Sequence, residues 1–339
     1  MKSDRKRLQN GHSEAVDSGK GARTMIHHIL FIGKQLAFRS IGILVSILLV
    51  CPGADPANAQ SNGDVVQVAY VEWSSEIASS HLVKAVIEEK LGYKCRLVSL
   101  SAAEMWQSVA SGETDAIVSA WLPETHKHYY EEVRDQVVNL GPNLEGTKTG
   151  LVVPDITVGR LTAGTGIRNR PYMDIDSIPE LHDHADKLKG HIIGIDPEAG
   201  IMRQTRRALE AYDLDEFRLI EGDEESMVEA LSEAIRHQEW IVVTGWLPHW
   251  MFARWNLKFL KDPKNVYGSG GRIHTVVRKG LQDEMPEVHA FLDAFHWKPE
   301  EMGQLMLWIQ EREGRFPYES AVRWISTHPE RVTSWLQEE

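Results

Sequence analysis

Cysteine is nearly missing from this chain. Its 339 residues include two, Cys51 and Cys95. Only Cys95 lies beyond position 59, so the remainder can form neither an intramolecular disulfide nor a cysteine-based metal cluster. Long apolar runs are scarce too. The run Ile41–Val50 is too short to cross a bilayer, which needs about 20 apolar residues, and this argues against a membrane anchor.

The segment 1–59 differs in composition from the rest of the chain. It holds eight Lys and Arg against four Asp and Glu, then the run Ile41–Val50, then Ala57-Asn58-Ala59. A basic flank, a short apolar core and a small-x-small site predict a signal peptide over residues 1–59, and therefore a periplasmic protein. Met25 is an alternative start to Met1, because the polar stretch before it is unusually long. Lipid attachment at Cys51 is disfavoured, since Val50 is a poor residue before a lipidated cysteine.

Positive charge is in deficit after residue 59. This part has 29 Lys and Arg against 45 Asp and Glu, a net charge near −16. Such a surface repels nucleic acid and anionic lipid, so neither is expected as a partner. The apolar fraction of 42% and the charged fraction of 25% are typical of a globular chain. The unusual feature is an excess of tryptophan, with eleven residues.

Strand-like and helix-like segments alternate along the chain in two series, which predicts an α/β fold with parallel sheets covered by helices. A shift of 125 residues places Trp121 on Trp246 and Pro123 on Pro248. This repeat predicts two similar lobes, each a mostly parallel sheet flanked by helices. We expect lobe I to span 60–155 and 272–339, and lobe II to span 156–271. The predicted strands are Val65–Val71, Cys95–Leu100, Ala116–Ala120, Val137–Leu140, Gly150–Pro154, Ile192–Ile195, Phe217–Ile220, Ile241–Thr244 and Ile273–Val277.

Three tryptophans follow predicted strands. Trp73 comes after the first, and Trp121 and Trp246 occupy the repeated Trp-Leu-Pro. Ligands of open parallel sheets bind at the carboxyl ends of the strands, so facing lobes would bring these indoles to one cleft. Aromatic faces suit a quaternary ammonium, which has no N–H to donate. Core packing is the alternative. It is favoured for Trp106, Trp240, Trp255, Trp308, Trp324 and Trp335, and it stays open for Trp250 and Trp297.

A second group of residues predicts a place for a carboxylate. Gly200 and Ile201 begin a predicted helix after a strand, where free backbone N–H groups favour an anion. His126 lies just over one helical turn after Trp121 and could donate to the same carboxylate. An ordinary helix start and a structural histidine remain the alternatives at these positions.

From about Val65 to Trp297 the sequence resembles the glycine betaine-binding proteins of ABC importers. The resemblance implies a two-lobed periplasmic-binding-protein fold of type II. In that family the tryptophans matching Trp73, Trp121 and Trp246 form a cage, and the residues matching Gly200, Ile201 and His126 hold the carboxylate. Glu72 and Glu198 stand beside the motifs as a mild departure. The matching segments are Ala69–Ser79, Ser119–His126, Gly194–Met202 and Thr244–Phe252.

The resemblance implies a monomer that carries a small zwitterionic quaternary-ammonium ligand to an ABC permease at the membrane, in osmoprotection. It implies no cofactor, no metal and no catalytic residue. Glycine betaine is the expected ligand, with dimethylsulfoniopropionate, proline betaine and carnitine as zwitterionic alternatives. Choline and trimethylamine N-oxide lack the carboxylate. A solute sensor that presents its ligand to a receptor would share every one of these sequence features.

An enzyme is the alternative from another class. Cys95 lies in a strand pattern and is expected to be structural, while His249 and His274 show no convincing partner. A metal site at His182, Asp183, His184 and His191 fits no strong spacing template, and a solvated helix face is the preferred interpretation.

Overall fold

The computed structural model describes residues 65–158 and 170–336. The predicted signal peptide, residues 1–59, lies outside these ranges. Within them, no helix combines the length and the apolar character that crossing a membrane requires.

The first series forms one end of a mixed sheet. Strand β1 pairs in parallel with β2 on one side and with β3 on the other. A capping box between Ser101 and Glu104 begins α2, as the sequence predicts. Helix α1 starts three residues earlier than its apolar periodicity indicated, and a π-helical turn, Ile87–Leu91, extends it to Gly92. The elements are β1 (Val65–Tyr70), α1 (Ser74–Val86), β2 (Lys94–Ser99), α2 (Ala102–Ser111), β3 (Ala116–Leu122) and α3 (Lys127–Val133).

One long strand, β4 (Val137–Pro154), follows and joins the two ends of the sheet. The sequence predicted two separate strands in this region, at Val137–Leu140 and Gly150–Pro154. The structure corrects this, because backbone pairing continues through the polar residues between them. After β4 come the short β5 (Thr157–Val158) and β6 (Arg170–Pro171), which pair with each other, and a 3-10 helix at Ile178–His184.

The second series repeats the strand–helix alternation. Here β7 pairs in parallel with β8 and with β9, as β1 does with β2 and β3. The elements are β7 (His191–Ile193), α4 (Gly200–Ala211), β8 (Arg218–Ile220), α5 (Glu224–His237), β9 (Val243–Leu247), α6 (Met251–Arg254) and β10 (Leu257–Phe259).

The chain then returns through β11 (Gly271–Arg278), which pairs antiparallel with both β3 and β4. The sheet order is β2-β1-β3-β11-β4-β9-β7-β8, with β10 paired to β4. We call β2, β1, β3 and β11 the first half of the sheet, and β9, β7 and β8 the second half. Strand β4 lies between the two halves and links them. The tail is helical and packs on α1 through α9 and α10. Its elements are α7 (Leu281–Glu284), α8 (Pro286–Ala294), α9 (Pro299–Gln310), α10 (Pro317–Thr327) and α11 (Pro329–Leu336).

Trp121 and Trp246 lie inside strands, not after them. The predicted strands ended at Ala120 and Thr244, but β3 and β9 each continue through the Trp-Leu pair. The reason is antiparallel pairing that the sequence did not reveal. Trp121 pairs with Ile273 of β11, and Trp246 pairs with Thr149 of β4. Both following Leu-Pro bonds are cis.

The tail supplies an aromatic core. Trp324 and Trp335 are fully buried and stack with their ring planes 3° apart, their centroids separated by 5.9 Å. Trp297 and Trp250, whose roles the sequence left open, are buried as well. Trp106 is buried as expected, whereas Trp240, Trp255 and Trp308 are half-buried.

A largely buried ion pair fastens β11 to β1 and to the residue that precedes β3, within the first half of the sheet. Arg278 donates through Nε to Asp115 Oδ1 at 2.7 Å, and Asp115 Oδ2 accepts from the backbone N–H of Gln67 at 2.7 Å. We expect Arg278→Ala to lower the free energy of unfolding by about 3 kcal/mol, because it leaves the carboxylate buried without its partner. Urea denaturation measures this loss. The matched control is Arg272→Ala on the same strand, whose exposed pair with Glu145 should contribute less than about 1 kcal/mol. Equal losses in the two variants would contradict this account.

Candidate functional site

All six residues predicted to bind ligand line one cavity between the two halves of the sheet. Its empty volume, counting the part open to solvent, is about 350 Å³. The three indoles are 5–8% exposed. Small-ligand sites are concave and mostly apolar hollows with a few polar groups. The lining residues are Trp73, Ser75, Trp121, Thr125, His126, Thr149, Ile195, Ala199, Gly200, Ile201 and Trp246.

The first half of the sheet positions Trp73, and the second half fixes its orientation. Trp73 directly precedes α1, and its indole Nε1–H donates to Asp196 Oδ2 at 2.8 Å. Asp196 follows β7. The hydrogen bond engages the polar edge of the indole, so the N–H of this buried ring is satisfied without using a ring face.

His126 is a buried, neutral hydrogen-bond donor. Its Nδ1 accepts from the indole N–H of Trp106 at 3.4 Å and from the backbone N–H of Trp121 at 3.3 Å. A neutral imidazole carries one proton, so these two donors place it on Nε2. Burial, and then the positive charges of Arg203 and His128, lower the pKa of His126 to about 3. The ring therefore offers an Nε2–H donor and no charge near pH 7.

Gly200 and Ile201 begin α4 at the wall of the cavity. Ala199, the preceding cap residue, makes no side-chain cap, and the backbone N–H groups of Gly200 and Ile201 find no acceptor among the residues described. A helix start with free N–H groups favours negative charge. A Cβ on Gly200 would overlap Cβ and the carbonyl oxygen of Thr125, so glycine is required where the two halves meet.

Arg203, one turn into α4, reaches across to the first half. Its guanidinium donates to the carbonyl oxygens of Thr125 at 3.0 Å and Glu198 at 2.9 Å, and it lies over the ring of Tyr129, 5.3 Å from the centroid. The Tyr129 hydroxyl also donates to the Glu198 carbonyl at 3.2 Å. These contacts hold the start of α4 against Thr125 and His126.

Sequence reasoning missed several residues of the site. Trp106 was assigned to core packing alone, although its N–H sets the protonated nitrogen of His126. Thr149 lies on β4 and donates to Gln204 Oε1 at 3.1 Å. The connecting strand showed no repeat or motif that would have marked Thr149. Ser75 and Thr125, by contrast, stand within the segments that carry the family resemblance.

Other residues singled out in the sequence lie elsewhere. Glu72 is exposed and lines a wider acidic groove, with an empty volume of about 1860 Å³ counted in the same way, that adjoins the cavity across Trp73. The Glu198 side chain is also exposed. Burial of Cys95, opposed by Lys84, raises its pKa to about 12, so its thiol is unreactive.

Two of the histidines considered for metal binding or catalysis have hydrogen-bond partners elsewhere. His182 contacts Glu216 and the Tyr212 carbonyl, and His274 contacts Asn139. No cluster of three or more potential metal ligands occurs in residues 65–158 and 170–336. The expectation that His249 lacks a partner is wrong, because its Nε2 lies 3.0 Å from Glu224 Oε1.

A curled mixed sheet with covering helices and an indole-lined cavity between its halves is the architecture of a periplasmic solute-binding protein. Residues 64–327 match the model of the OpuAC family, the substrate-binding domain of the ABC-type glycine betaine transport system. The chain belongs to this family.

Known relatives agree with this assignment. The chain is 43% identical over 155 residues to the glycine betaine/carnitine transport binding protein GbuC of Listeria monocytogenes, a match that covers 45% of this chain and 51% of GbuC. The structure superposes on lactococcal OpuAC, closed around glycine betaine, with a TM-score of 0.72 and 39% identity, over 81% of this chain and all of that one. It also superposes on the glycine/betaine/L-proline-binding protein ProX of Borrelia burgdorferi, with a TM-score of 0.73 and 36% identity, over 81% and 97% of the two chains.

The protonation state of His126 can be measured without any ligand. We expect ¹H–¹⁵N NMR to show a neutral ring protonated on Nε2 throughout pH 5–8, because its pKa is about 3. His182 is the internal control. The Tyr212 carbonyl and the Glu216 carboxylate raise its pKa above the ordinary value near 6.5, so it should titrate at a higher pH than a free imidazole. Titration of His126 near pH 6.5 would contradict the assignment.

Proposed function

We propose that this protein binds glycine betaine, or a similar quaternary-ammonium zwitterion, in the cavity between its two halves and delivers it to an ABC permease. The observation that carries the proposal is that three indoles and three uncommitted N–H donors line the same hollow. This set matches both ends of a betaine, whose methylated cation cannot donate a hydrogen bond and whose carboxylate can only accept.

The indoles of Trp73, Trp121 and Trp246 are proposed as the cage for the cation. A cation against an aromatic face gains up to about 2 kcal/mol when water is excluded, and these side chains are more than nine-tenths buried. Three such contacts approach the roughly 8 kcal/mol of micromolar binding. Hydrogen bonds to the carboxylate supply the remainder and offset the cost of ordering.

The carboxylate is proposed to accept from His126 Nε2–H and from the backbone N–H groups of Gly200 and Ile201. Hydrogen bonds to a charged group contribute about 1.5–3 kcal/mol each. In the closed arrangement the donors are held in place by the protein itself. The His126 proton is fixed by Trp106, and the start of α4 is fixed by Arg203. Choline would leave all three donors without an acceptor, which favours a zwitterion.

We keep the predicted division into lobe I, residues 60–155 and 272–339, and lobe II, residues 156–271, as part of the proposal. Trp73, Trp121 and His126 then belong to lobe I, whereas Gly200, Ile201 and Trp246 belong to lobe II. Because the ligand contacts both lobes, it binds a closed arrangement more tightly than an open one. A permease can recognise the closed form.

The cellular setting is proposed as well. The chain is exported by the signal peptide at residues 1–59, acts as a monomer in the periplasm and returns its ligand chemically unchanged. A solute sensor with the same site would bind the same ligand, and neighbouring genes for a permease and an ATPase distinguish an importer from a sensor. Recovering modified ligand after incubation with the protein would argue for an enzyme instead.

Two substitutions separate the cationic and anionic ends of the ligand. Titration calorimetry should show that Trp121→Ala weakens glycine betaine and choline alike by about 30-fold, the equivalent of about 2 kcal/mol. His126→Ala should weaken glycine betaine by about tenfold or more and leave choline nearly unchanged. Matched controls are Trp308→Ala, in α9 away from the cavity, and His237→Ala, at the exposed end of α5. Equal losses of the two ligands in the His126 variant would refute its assigned role.

Gly200→Ala tests the approach of the two halves. The added methyl group would overlap Thr125, so we expect at least a tenfold loss of affinity for glycine betaine, measured by calorimetry. Gly303→Ala in α9 is the control. Its added Cβ would have no neighbour within 4 Å, and affinity should not change. Unchanged affinity in the Gly200 variant would mean that the halves do not need to meet at this point.

A further inference from the structure

Glu224 is a buried carboxylate outside the cavity that connects the two halves of the sheet. It is the first residue of α5, in the second half, and is 9% exposed. Its Oε2 accepts from the backbone N–H of Ser74 at 2.9 Å. Ser74 is the first residue of α1, directly after Trp73, and no side chain of its own half caps this helix start. Glu224 therefore satisfies an unpaired donor of α1 from across the cleft.

The other oxygen of Glu224 holds a buried imidazole beside a second indole. His249 Nε2 lies 3.0 Å from Glu224 Oε1, at ion-pair distance, although its N–H is not aligned for a hydrogen bond. Its Nδ1 accepts from the backbone N–H of Met251 at 3.1 Å, so the proton facing Glu224 is on Nε2. The His249 ring packs edge-on against Trp246, with centroids 4.6 Å apart and planes at 79°. Neither Glu224 nor His249 lines the cavity itself.

We propose that Glu224 and His249 are a positioning pair that holds two indoles of the cage, Trp73 and Trp246, in their relative places. The pair acts on Trp73 through the Ser74 backbone and on Trp246 through the imidazole ring. This inference rests on the proposed function and adds two residues to it. It predicts that the pair affects binding of the quaternary ammonium of the ligand and not binding of its carboxylate.

The electrostatic surroundings keep Glu224 ionised. Burial alone would raise its pKa, but the neighbouring His249 and the hydrogen bond from the Ser74 N–H lower it below the ordinary value. The other titratable groups near it are Glu76 on α1, whose burial raises its pKa to about 8, and the exposed Asp223 and Glu225 on its own helix. At this junction Glu224 accepts from the Ser74 backbone N–H, and Asp196 accepts from the indole N–H of Trp73.

Ligand affinities of the variants test the pair. In calorimetry at pH 7 we expect Glu224→Ala to weaken glycine betaine and choline by the same factor, about tenfold. His126→Ala, by contrast, should affect glycine betaine alone. Glu225→Ala, the neighbouring exposed residue with the same change of charge, is the control and should leave both affinities unchanged. A loss confined to glycine betaine in the Glu224 variant, or no loss, would overturn the inference.

A paired replacement separates positioning from a general effect on folding. Glu224→Gln can accept from Ser74 but then presents an NH₂ group to the Nε2–H of His249, so it should bind about tenfold more weakly. Combining it with His249→Gln supplies an amide oxygen for that NH₂ group. We expect the double variant to lose less affinity than the sum of the losses in Glu224→Gln and His249→Gln, and additive losses would contradict direct pairing.

Hydrogen exchange reports on the hydrogen bond between the Ser74 amide and Glu224 in the absence of ligand. The Ser74 amide should exchange slowly in the wild type and in Glu225→Ala, and faster in Glu224→Ala. Equal exchange in the wild type and Glu224→Ala would show that the contact is absent and overturn the inference. If the Ser74 amide exchanges faster in Glu224→Ala but ligand affinity does not change, the contact is purely structural, and the inference is overturned as well. Failure of the wild type to bind any quaternary-ammonium ligand would instead refute the proposed function, and the positioning role with it.

Discussion

A fully methylated nitrogen carries positive charge but offers no hydrogen to an acceptor, and this constraint shapes the whole proposed site. Such a cation can be taken from water only if its charge meets the negative face of an aromatic ring. The protein must therefore bury several large rings around a hollow, and a buried indole N–H needs an acceptor. Asp196 is the acceptor for the indole N–H of Trp73. The energy of the site thus depends on indoles that are buried but not packed against one another.

The anionic end of the proposed ligand imposes the opposite requirement. A carboxylate in a dry cavity needs donors, and a donor that lacks an acceptor when the site is empty is costly to bury. The chain uses donors whose positions are fixed by the fold. The His126 proton is placed by two N–H groups on the other nitrogen, and the start of α4 has free N–H groups because every helix does. Neutrality of His126 also means that binding need not move a proton.

The main features of the fold and site were predictable where the sequence repeats itself. The recurrence of Trp-Leu-Pro indicated two related halves and a shared function for Trp121 and Trp246. Strand ends were less predictable, because β3 and β9 are extended by antiparallel partners, β11 and β4, that are distant from them in the chain. Likewise, the sequence predicted two strands in place of β4 because its central residues are polar, although backbone pairing does not depend on the polarity of the side chains.

The residues that position other side chains gave the weakest signal in the sequence. Glu224 and His249 are well separated in the chain, on a helix start and after a strand, and no periodicity joins them. Trp106 lies on a helix whose spacing indicated core packing, which is correct for its ring and incomplete for its N–H. A sequence pattern records which side chains are buried. It does not record which of two nitrogens carries a proton, because that depends on partners brought together by the fold.

Strand β4 has a mechanical consequence. Its pairing with β11 extends to Thr147, and its pairing with β9 begins at Lys148. The preceding Gly146 has a positive φ of 83°. A rotation of one half against the other would twist the backbone at this junction and at the second crossing, between β10 and β11, and would leave the strand pairing on either side intact. Thr149, which follows this junction directly, lines the cavity, so the pivot lies close to the place where the solute would be held.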